Sequence, residues 1–191
     1  MCDRNLLNLC DADNAILLVI DPQGKIFRMA YNTDKLAPMI NKAMKLADLY
    51  RVPVVLTEQY PKGLGATVPE IRGVFDTLST DKHFFEKNYF GCCGEPGFMK
   101  ALEATGRRKI ILCGMETHVC VLQTCIGSLR EGFTVHAVRD AICSRTKENY
   151  RTCIEFMRDA GAVITGTETV LFQLLEKAGT EEFKAIAKRI K

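Results

Sequence analysis

The sequence lacks tryptophan, has only three histidines, and contains no apolar run long enough to cross a bilayer. A transmembrane helix needs about 20 predominantly apolar residues, whereas even the longest apolar runs here, such as Ala15–Ile20, are far shorter. An excess of one charge is also missing, because 26 basic and 23 acidic residues leave a net charge of +3. Basic residues do not alternate with aromatic ones as they do in nucleic-acid-binding segments. We therefore expect neither a membrane nor a nucleic-acid partner.

Disulfides are expected to be absent too, although the chain has nine cysteines among 191 residues. Their number is odd, and most of them lie in apolar or helix-like stretches. The first residues, Met1–Asp11, are polar and carry acids, so they lack the apolar core of a secretory signal. These features favour a reducing, intracellular setting. We predict the cytoplasm and leave a mitochondrial location open.

Five short apolar segments indicate β-strands. Short β-branched runs of this kind are typical of strands buried on both faces of a parallel sheet. They are Ala15–Ile20, Val52–Leu56, Ile110–Cys113, Thr134–Val138 and Ala162–Ile164.

Helical periodicity lies between these segments, over 36–50, 120–130 and 150–160. Alternating strands and helices predict an α/β protein with right-handed crossovers. We expect one doubly wound three-layer domain at 14–191, with a parallel sheet of five or six strands, after an N-terminal extension at 1–13. The segment 57–96 has no clean helical period, and a loop-rich stretch of that length indicates function or an interface.

Candidate catalytic residues occur where the predicted strands end. In an open parallel sheet, ligands bind beyond the carboxyl ends of the strands. The residues at or shortly after those ends are Asp21, Thr57–Gln59, Cys120 and Asp140.

Cys120 is the most informative of these residues. It falls in the first turn of a predicted helix, where free N–H groups and the helix dipole favour an anion. Its thiol is therefore expected to have a depressed pKa and to be nucleophilic, and the same N–H groups suit an oxyanion. From position alone, a structural core cysteine is the stronger interpretation, because buried free cysteines are common.

Asp21 and a lysine would complete a catalytic group. A carboxylate beside a thiol can accept its proton and later deliver it to a leaving amine, although Asp21 fits a helix cap or a loop contact equally well. Two acidic groups also need a cation to offset their repulsion. Lys82 and Lys87 are the candidates, and the aromatic residues around Lys87 in FEKNYFG indicate partial burial.

Three blocks of the sequence resemble the isochorismatase-like cysteine hydrolases. AILLVIDPQGKIF is similar to the family's first-strand motif, in which an aspartate closes the strand and a glutamine follows two residues later. KNYFG resembles the element that supplies the catalytic lysine, which selects Lys87 over Lys82. CGMETHVCVLQTCIGSLREGFTVHAVRDAICSR resembles the nucleophile block. The resemblance runs from residue 14 to the C-terminus, and LTEQYPKGLGATVPEI points to the eukaryotic isochorismatase domain-containing subgroup.

The resemblance implies a role for each residue. Cys120 is the nucleophile, Asp21 is the base, and Lys87 is the cation that holds and polarises the pair. The oxyanion hole falls on the backbone N–H groups of Glu116 and Cys120, after a cis peptide bond between Met115 and Glu116. We expect the substrate pocket around them to include Gln23, Phe27, Gln59, Tyr60, Phe90, Thr117 and His118.

Differences from the family's other members argue against two of its substrates and against a metal. Metal-binding nicotinamidases of this family carry Asp-x-His after the second strand, whereas this chain has Glu58, Gln59 and Tyr60 there. Its three histidines show no metal-ligand spacing, so we expect no metal or other cofactor, and nicotinamide is disfavoured. True isochorismatases lack the cysteine, so Cys120 disfavours isochorismate as well.

The leading hypothesis is a hydrolase that acts on a small amide, imide or related carbonyl compound through a thioester acyl-enzyme. The alternatives are a non-catalytic binding or scaffold protein that retains the pocket, and a thiol redox sensor based on the adjacent Cys92 and Cys93. A homo-oligomer is also expected, because the irregular segment holds more apolar residues than a surface loop exposes. They are Tyr60, Leu64, Val68, Ile71, Phe84, Phe85 and Phe90.

Overall fold

The chain forms a six-stranded parallel sheet with helices on both faces, in a computed structural model that describes residues 9–31 and 33–180. The strand order is β3-β2-β1-β4-β5-β6, and every neighbouring pair is parallel. The predicted α/β class is thereby confirmed. The strands are β1 (Ala15–Ile20), β2 (Val54–Gln59), β3 (Lys82–Lys87), β4 (Lys109–Met115), β5 (Thr134–Cys143) and β6 (Val163–Thr165).

Eight α-helices occur within the described residues, together with a 3₁₀ turn at Cys92–Gly94 and a π-helical segment at Thr117–Val121. None of these helices is long and apolar enough to cross a bilayer. Predictions for 1–8 and 181–191 lie outside the described residues. The helices are α1 (Gly24–Met29), α2 (Thr33–Leu49), α3 (Pro61–Leu64), α4 (Pro69–Thr77), α5 (Phe98–Ala104), α6 (Leu122–Arg130), α7 (Lys147–Asp159) and α8 (Thr167–Leu175).

Two apolar cores lie on opposite faces of the sheet. Successive side chains of a strand point to opposite faces, so Leu17 and Val19 of β1 pack with α2, α4 and α8. Ile16 and Leu18 pack on the other face with α5, α6 and α7. Every residue of β1 is buried, which makes it the rigid centre from which the site is built.

The predicted irregular segment at 57–96 is largely regular, so that prediction was wrong. Pro61 and Pro69 begin α3 and α4 rather than interrupting them, because the first helical position needs no N–H donor. The edge strand β3 went undetected because most of its residues are exposed and it has no apolar run. Val68 and Ile71 belong to the core, so they do not contribute to an exposed apolar surface.

Asp140 does not end its strand. The pairing of β4 with β5 shifts in register between Leu112 and Gly114, and β5 continues to Cys143. The displaced Asp140 accepts hydrogen bonds from the backbone N–H and the hydroxyl of Thr167 at 2.8 and 3.0 Å. This carboxylate therefore holds the start of α8.

Candidate active site

The topology places the ends of β1 and β4 next to each other. The chain runs outward from β1 to β3, then crosses back so that β4 pairs with the other side of β1. Such a switch point opens a crevice beyond the strand ends. Asp21 directly follows β1, and Cys120 lies in the π-helical segment just after β4.

Asp21 is held in a strained conformation. Its φ is +47°, in the left-handed region that aspartate tolerates better than most side chains. Its backbone N–H donates to the carbonyl of Thr57 at 3.2 Å, and the Thr57 hydroxyl donates to Oδ1 of Asp21 at 2.6 Å. The neighbouring strand therefore fixes both the backbone and the carboxylate, and strain of this kind is concentrated at functional sites.

Lys87 reaches Asp21 from the edge of the sheet. Its Nζ lies 2.7 Å from Oδ2 of Asp21, and the two side chains are 1% and 0% exposed. The ammonium also donates to Oε1 of Gln59 at 2.7 Å and to the carbonyl of Phe90 at 3.1 Å. Burial acts to lower the pKa of Lys87, but the charge of Asp21, helped by the thiols of Cys92 and Cys120, raises it above its ordinary value. The amine therefore stays charged.

Lys82 has a different task. Its Nζ donates to the carbonyls of Phe75, Asp76 and Leu78 at 3.2, 2.6 and 3.0 Å. These carbonyls lie at the end of α4, where a cation complements the helix dipole. The structure thus brings Lys87, and not Lys82, to Asp21.

Cys120 is buried beside this ion pair, with its side chain in the core and its Sγ 3.9 Å from Oε1 of Gln59. Burial raises the pKa of its thiol, the charge of Asp21 and a hydrogen bond to it raise it further, and Lys87 lowers it by less than the nearby carboxylate raises it. The depressed pKa expected from the helix start alone was therefore wrong, because sequence position reveals neither the burial of the thiol nor that Asp21 acts on it more strongly than Lys87. The resting thiol is protonated and needs a base.

The loop between β4 and Cys120 approaches β1 closely. Gly114 has φ +113°, and a Cβ on it would meet the carbonyl oxygen of Ile20 at 2.1 Å, so only glycine fits. The peptide bond between Met115 and Glu116 is cis. Cys120 is the fourth residue of its helix, within the first turn, where backbone N–H groups lack intrahelical acceptors.

A polar network lies behind this loop. Arg145 donates from Nε to Oε1 of Glu116 at 2.8 Å, and its Nη2 lies 3.5 Å from Nε2 of His118. The other ring nitrogen of His118 is 2.9 Å from the hydroxyl of Ser144. Sequence inspection had singled out Glu116 and His118 but not their partners, which directly follow the end of β5.

The predicted pocket residues take several different positions. Gln23 connects the segment after β1 to the end of β2. Its amide donates to the carbonyls of Gln59 and Gly65, and its carbonyl oxygen accepts from the Gln59 N–H. Phe27 packs in the core. Tyr60 and Phe90 are each 53% exposed. Both side chains are therefore largely in contact with solvent.

Thr117 is the pocket residue with an uncommitted polar group. It is fully buried, and its hydroxyl has no hydrogen-bond partner among the described residues. A buried hydroxyl without a partner is costly.

The sequence placed Thr57 and Glu58 at the end of a strand but did not predict what they do. Thr57 fixes Asp21, as described above. Glu58 is buried and accepts from the N–H and the hydroxyl of Thr67, both at 2.7 Å, which ties β2 to the start of α4. Their position after an apolar strand was the available signal, but their partners are distant in sequence.

The other reactive side chains are less suited to chemistry. Burial raises the pKa of Cys92 to about 12 and also raises that of Cys93, so neither is an activated thiol of the kind that a redox sensor requires. Within 9–31 and 33–180, no group of three His, Cys, Asp or Glu side chains is arranged to hold a metal ion.

Comparison with known proteins agrees with this architecture. The family model described as "Isochorismatase domain" matches residues 15–169. The secreted isochorismatase effector Isc1 of Phytophthora sojae is 38% identical over 93% of this chain and 85% of its own length. Isochorismatase domain-containing protein 2 of Bos taurus is 35% identical over 93% of this chain and 83% of its own length.

Solved structures show the same fold. The MAR1 ribonuclease of Caenorhabditis elegans is 32% identical with a TM-score of 0.88, covering 96% of this chain and 92% of that one. YcaC from Pseudomonas aeruginosa, solved with covalent acrylamide, is 25% identical with a TM-score of 0.85 over 94% and 90% of the two chains. The Escherichia coli YcaC product, described as an octameric hydrolase of unknown specificity, is 26% identical with a TM-score of 0.80 over 88% and 83%.

Proposed function

Because the chain belongs to the isochorismatase family, we propose that it is a cysteine hydrolase of small amides, imides or related carbonyl compounds. The observation that carries the proposal is the buried ion pair of Asp21 and Lys87 at 2.7 Å, next to the buried thiol of Cys120. A protonated thiol hydrogen-bonded to an ionised carboxylate is a nucleophile with its own general base.

Acylation begins when Sγ of Cys120 attacks the substrate carbonyl carbon and the thiol proton passes to Asp21. The carbonyl oxygen becomes an oxyanion, for which the backbone N–H groups of Glu116 and Cys120 are the proposed donors. Asp21 then returns the proton to the leaving nitrogen, the C–N bond breaks, and the amine departs. A thioester on Cys120 remains.

Deacylation uses the same carboxylate. Asp21 takes a proton from water, the hydroxide oxygen attacks the thioester carbon, and the C–S bond breaks. The departing thiolate recovers the proton from Asp21, so the overall reaction consumes one water and yields an acid and an amine. Lys87 remains charged throughout, and it offsets the negative charge that moves between thiolate and carboxylate.

The site also indicates what kind of substrate fits. The two charged side chains beside the thiol, Asp21 and Lys87, are already paired with each other. A small neutral molecule suits such a place better than an ion does. The Pseudomonas YcaC structure holds covalent acrylamide, so that relative admits a small neutral amide, which supports testing such amides first.

The test is a screen of small neutral amides for amine release, with wild type beside Cys120→Ser. Hydroxylamine should trap the thioester as a hydroxamate, and mass spectrometry after rapid quenching should find the acyl group on the Cys120 peptide alone. Turnover that survives in Cys120→Ser would overturn the proposed nucleophile. A binding or scaffold protein would bind such amides without turnover, and a redox sensor would oxidise first at Cys92 or Cys93.

We further propose that the protein is a homo-oligomer in a reducing, intracellular compartment. The octameric E. coli YcaC supports the first part, together with the exposed side chains of Tyr60, Tyr89 and Phe90. The eight cysteines within the described residues are all free, which supports the second. The Phytophthora relative carries the name of a secreted effector, so fractionation of cells that express this chain is the appropriate check.

A further inference from the structure

A second cleft lies between the start of α2, the later part of β5 and the start of α7. It has a volume of about 390 Å³, within the roughly 300–1,000 Å³ typical of small-molecule sites. The buried side chains of Leu36, Ile142 and Cys143 give it an apolar floor. Neither Asp21 nor Cys120 lines it, so it is separate from the proposed catalytic group.

Four cations line this cleft: Lys35, Arg139, Lys147 and Arg151. All four are exposed, and none is in an ion pair with any carboxylate in the described part of the chain. The lining includes one carboxylate, Asp140, whose Oδ1 is occupied by the two hydrogen bonds from Thr167. Four cations against this one carboxylate leave the cleft with an excess of three positive charges.

One of the cations on α7 stands where it destabilises the helix. Lys147 is the first residue of α7, at the positive end of the helix dipole, where a cation is unfavourable. Tyr150 and Arg151 follow at spacings of three and four residues, so all three side chains share the face that lines the cleft. Thr146 already caps the helix by accepting from the Asn149 N–H at 3.1 Å. A cation at Lys147 thus adds charge to the cleft at some cost to the helix.

Two tyrosines complete the walls. Tyr150 donates its hydroxyl to the backbone carbonyl of Arg139 at 2.8 Å, which fixes α7 against β5, the two elements that carry three of the four cations. Tyr31 is 42% exposed on the opposite side. Aromatic walls over an apolar floor suit the body of an organic molecule, and arginines and lysines suit phosphate groups.

We propose that this cleft binds a small organic molecule that carries two or more phosphate groups. An excess of three positive charges matches two phosphates better than a single carboxylate, and a cleft of about 390 Å³ suits a small molecule better than an extended polymer. Arginine at two of the four positions permits bidentate contacts with phosphate oxygens.

The test is calorimetric titration of the full chain with pyrophosphate and with ADP at low ionic strength. Lys147→Gln combined with Arg151→Gln should weaken binding of both compounds at least about tenfold, because charge-assisted hydrogen bonds are the strong ones. The matched control is Lys45→Gln with Arg158→Gln, which removes the same charge from exposed positions on α2 and α7 outside the cleft and should change affinity less than about twofold. Lys35→Gln with Arg139→Gln should weaken binding like the first pair, and it serves if the first pair fails to fold.

The outcomes separate this proposal from the proposed hydrolase activity. Cys120→Ser should bind pyrophosphate as wild type does, whether or not the protein is a hydrolase. Equal weakening by the control pair would show non-specific attraction and would overturn the proposal. So would absence of binding, or tighter binding of a ten-nucleotide RNA than of ADP through the same residues.

Discussion

The Nζ atom of Lys87 lies 2.7 Å from Oδ2 of Asp21, and both side chains are sealed from solvent. Removal of one member of a buried ion pair leaves an uncompensated charge. Lys87→Met should therefore lower the free energy of unfolding by about 3–5 kcal/mol, measured by urea denaturation. Lys82→Met is the matched control, since that ammonium is partly exposed at the end of α4, and it should cost about 1 kcal/mol or less. Equal losses in the two variants would show that the pair is not buried in solution.

The charges around Cys120 should control its alkylation. Asp21→Asn removes the carboxylate that raises the pKa of the thiol, so the curve of iodoacetamide rate against pH should move to lower pH while hydrolysis is abolished. Lys87→Met removes the cation that lowers this pKa, so its curve should move to higher pH. Mass spectrometry must locate the label on Cys120. A Lys87→Met curve that coincides with those of wild type and Lys82→Met would show that Lys87 does not affect the ionisation of Cys120.

Thr57 should act as a positioning residue for Asp21. Thr57→Val keeps the shape of a side chain in a buried strand but deletes the hydrogen bond to Oδ1. We expect kcat to fall about tenfold or more with little change in KM, because the substrate itself does not lose a contact. Thr57→Ser should recover most of the activity. If serine and valine are equally impaired, packing and not the hydroxyl is what matters at this position.

His136 should make the protein sensitive to acid. It is buried in β5, both ring nitrogens lack partners among the described residues, and burial lowers its pKa from 6.5 to about 4. The unfolded chain takes up a proton as the pH falls below 6.5, whereas the folded chain does not do so until about pH 4. Stability is therefore complete above pH 6.5 and declines towards pH 4, by about 3 kcal/mol.

Urea unfolding across this pH range tests the contribution of His136. His136→Leu should flatten the dependence of stability on pH, while His83→Gln, at an exposed position of β3, should leave it unchanged. A decline of the same size in His136→Leu would assign the acid sensitivity to carboxylates instead.

Association should depend on the exposed aromatic residues near the site. Sedimentation velocity at micromolar concentration should give a mass that is a multiple of 21.4 kDa. Phe90→Ser removes a side chain that is 53% exposed and should weaken the assembly, whereas Phe172→Ser, at 47% exposure on α8, should not. A wild-type monomer under these conditions contradicts the prediction.

The sequence alone determined the fold class and the edge of the sheet at which to look. Ala15–Ile20 is apolar throughout because β1 is covered on both faces, so its composition alone predicts a buried strand. Asp21 and Cys120 were recognisable because each follows such a strand. The edge strand β3 was not, because an exposed strand without an apolar run leaves little periodic signal. Helix α4 was missed although Val68, Ile71 and Phe75 are spaced for one helical face, because the prolines and glycines around it indicate a loop.

Tertiary structure decided everything that depends on distance between elements. Lys82 and Lys87 belong to the same strand, and only the packing of β3 against β2 sends one to a helix end and the other to Asp21. The pKa of the Cys120 thiol rises instead of falling because burial and Asp21 outweigh the cation, and neither burial nor separation can be read from a linear spacing. The same reason explains why Thr57 and the four-cation cleft emerged only once strands and helices had been brought together.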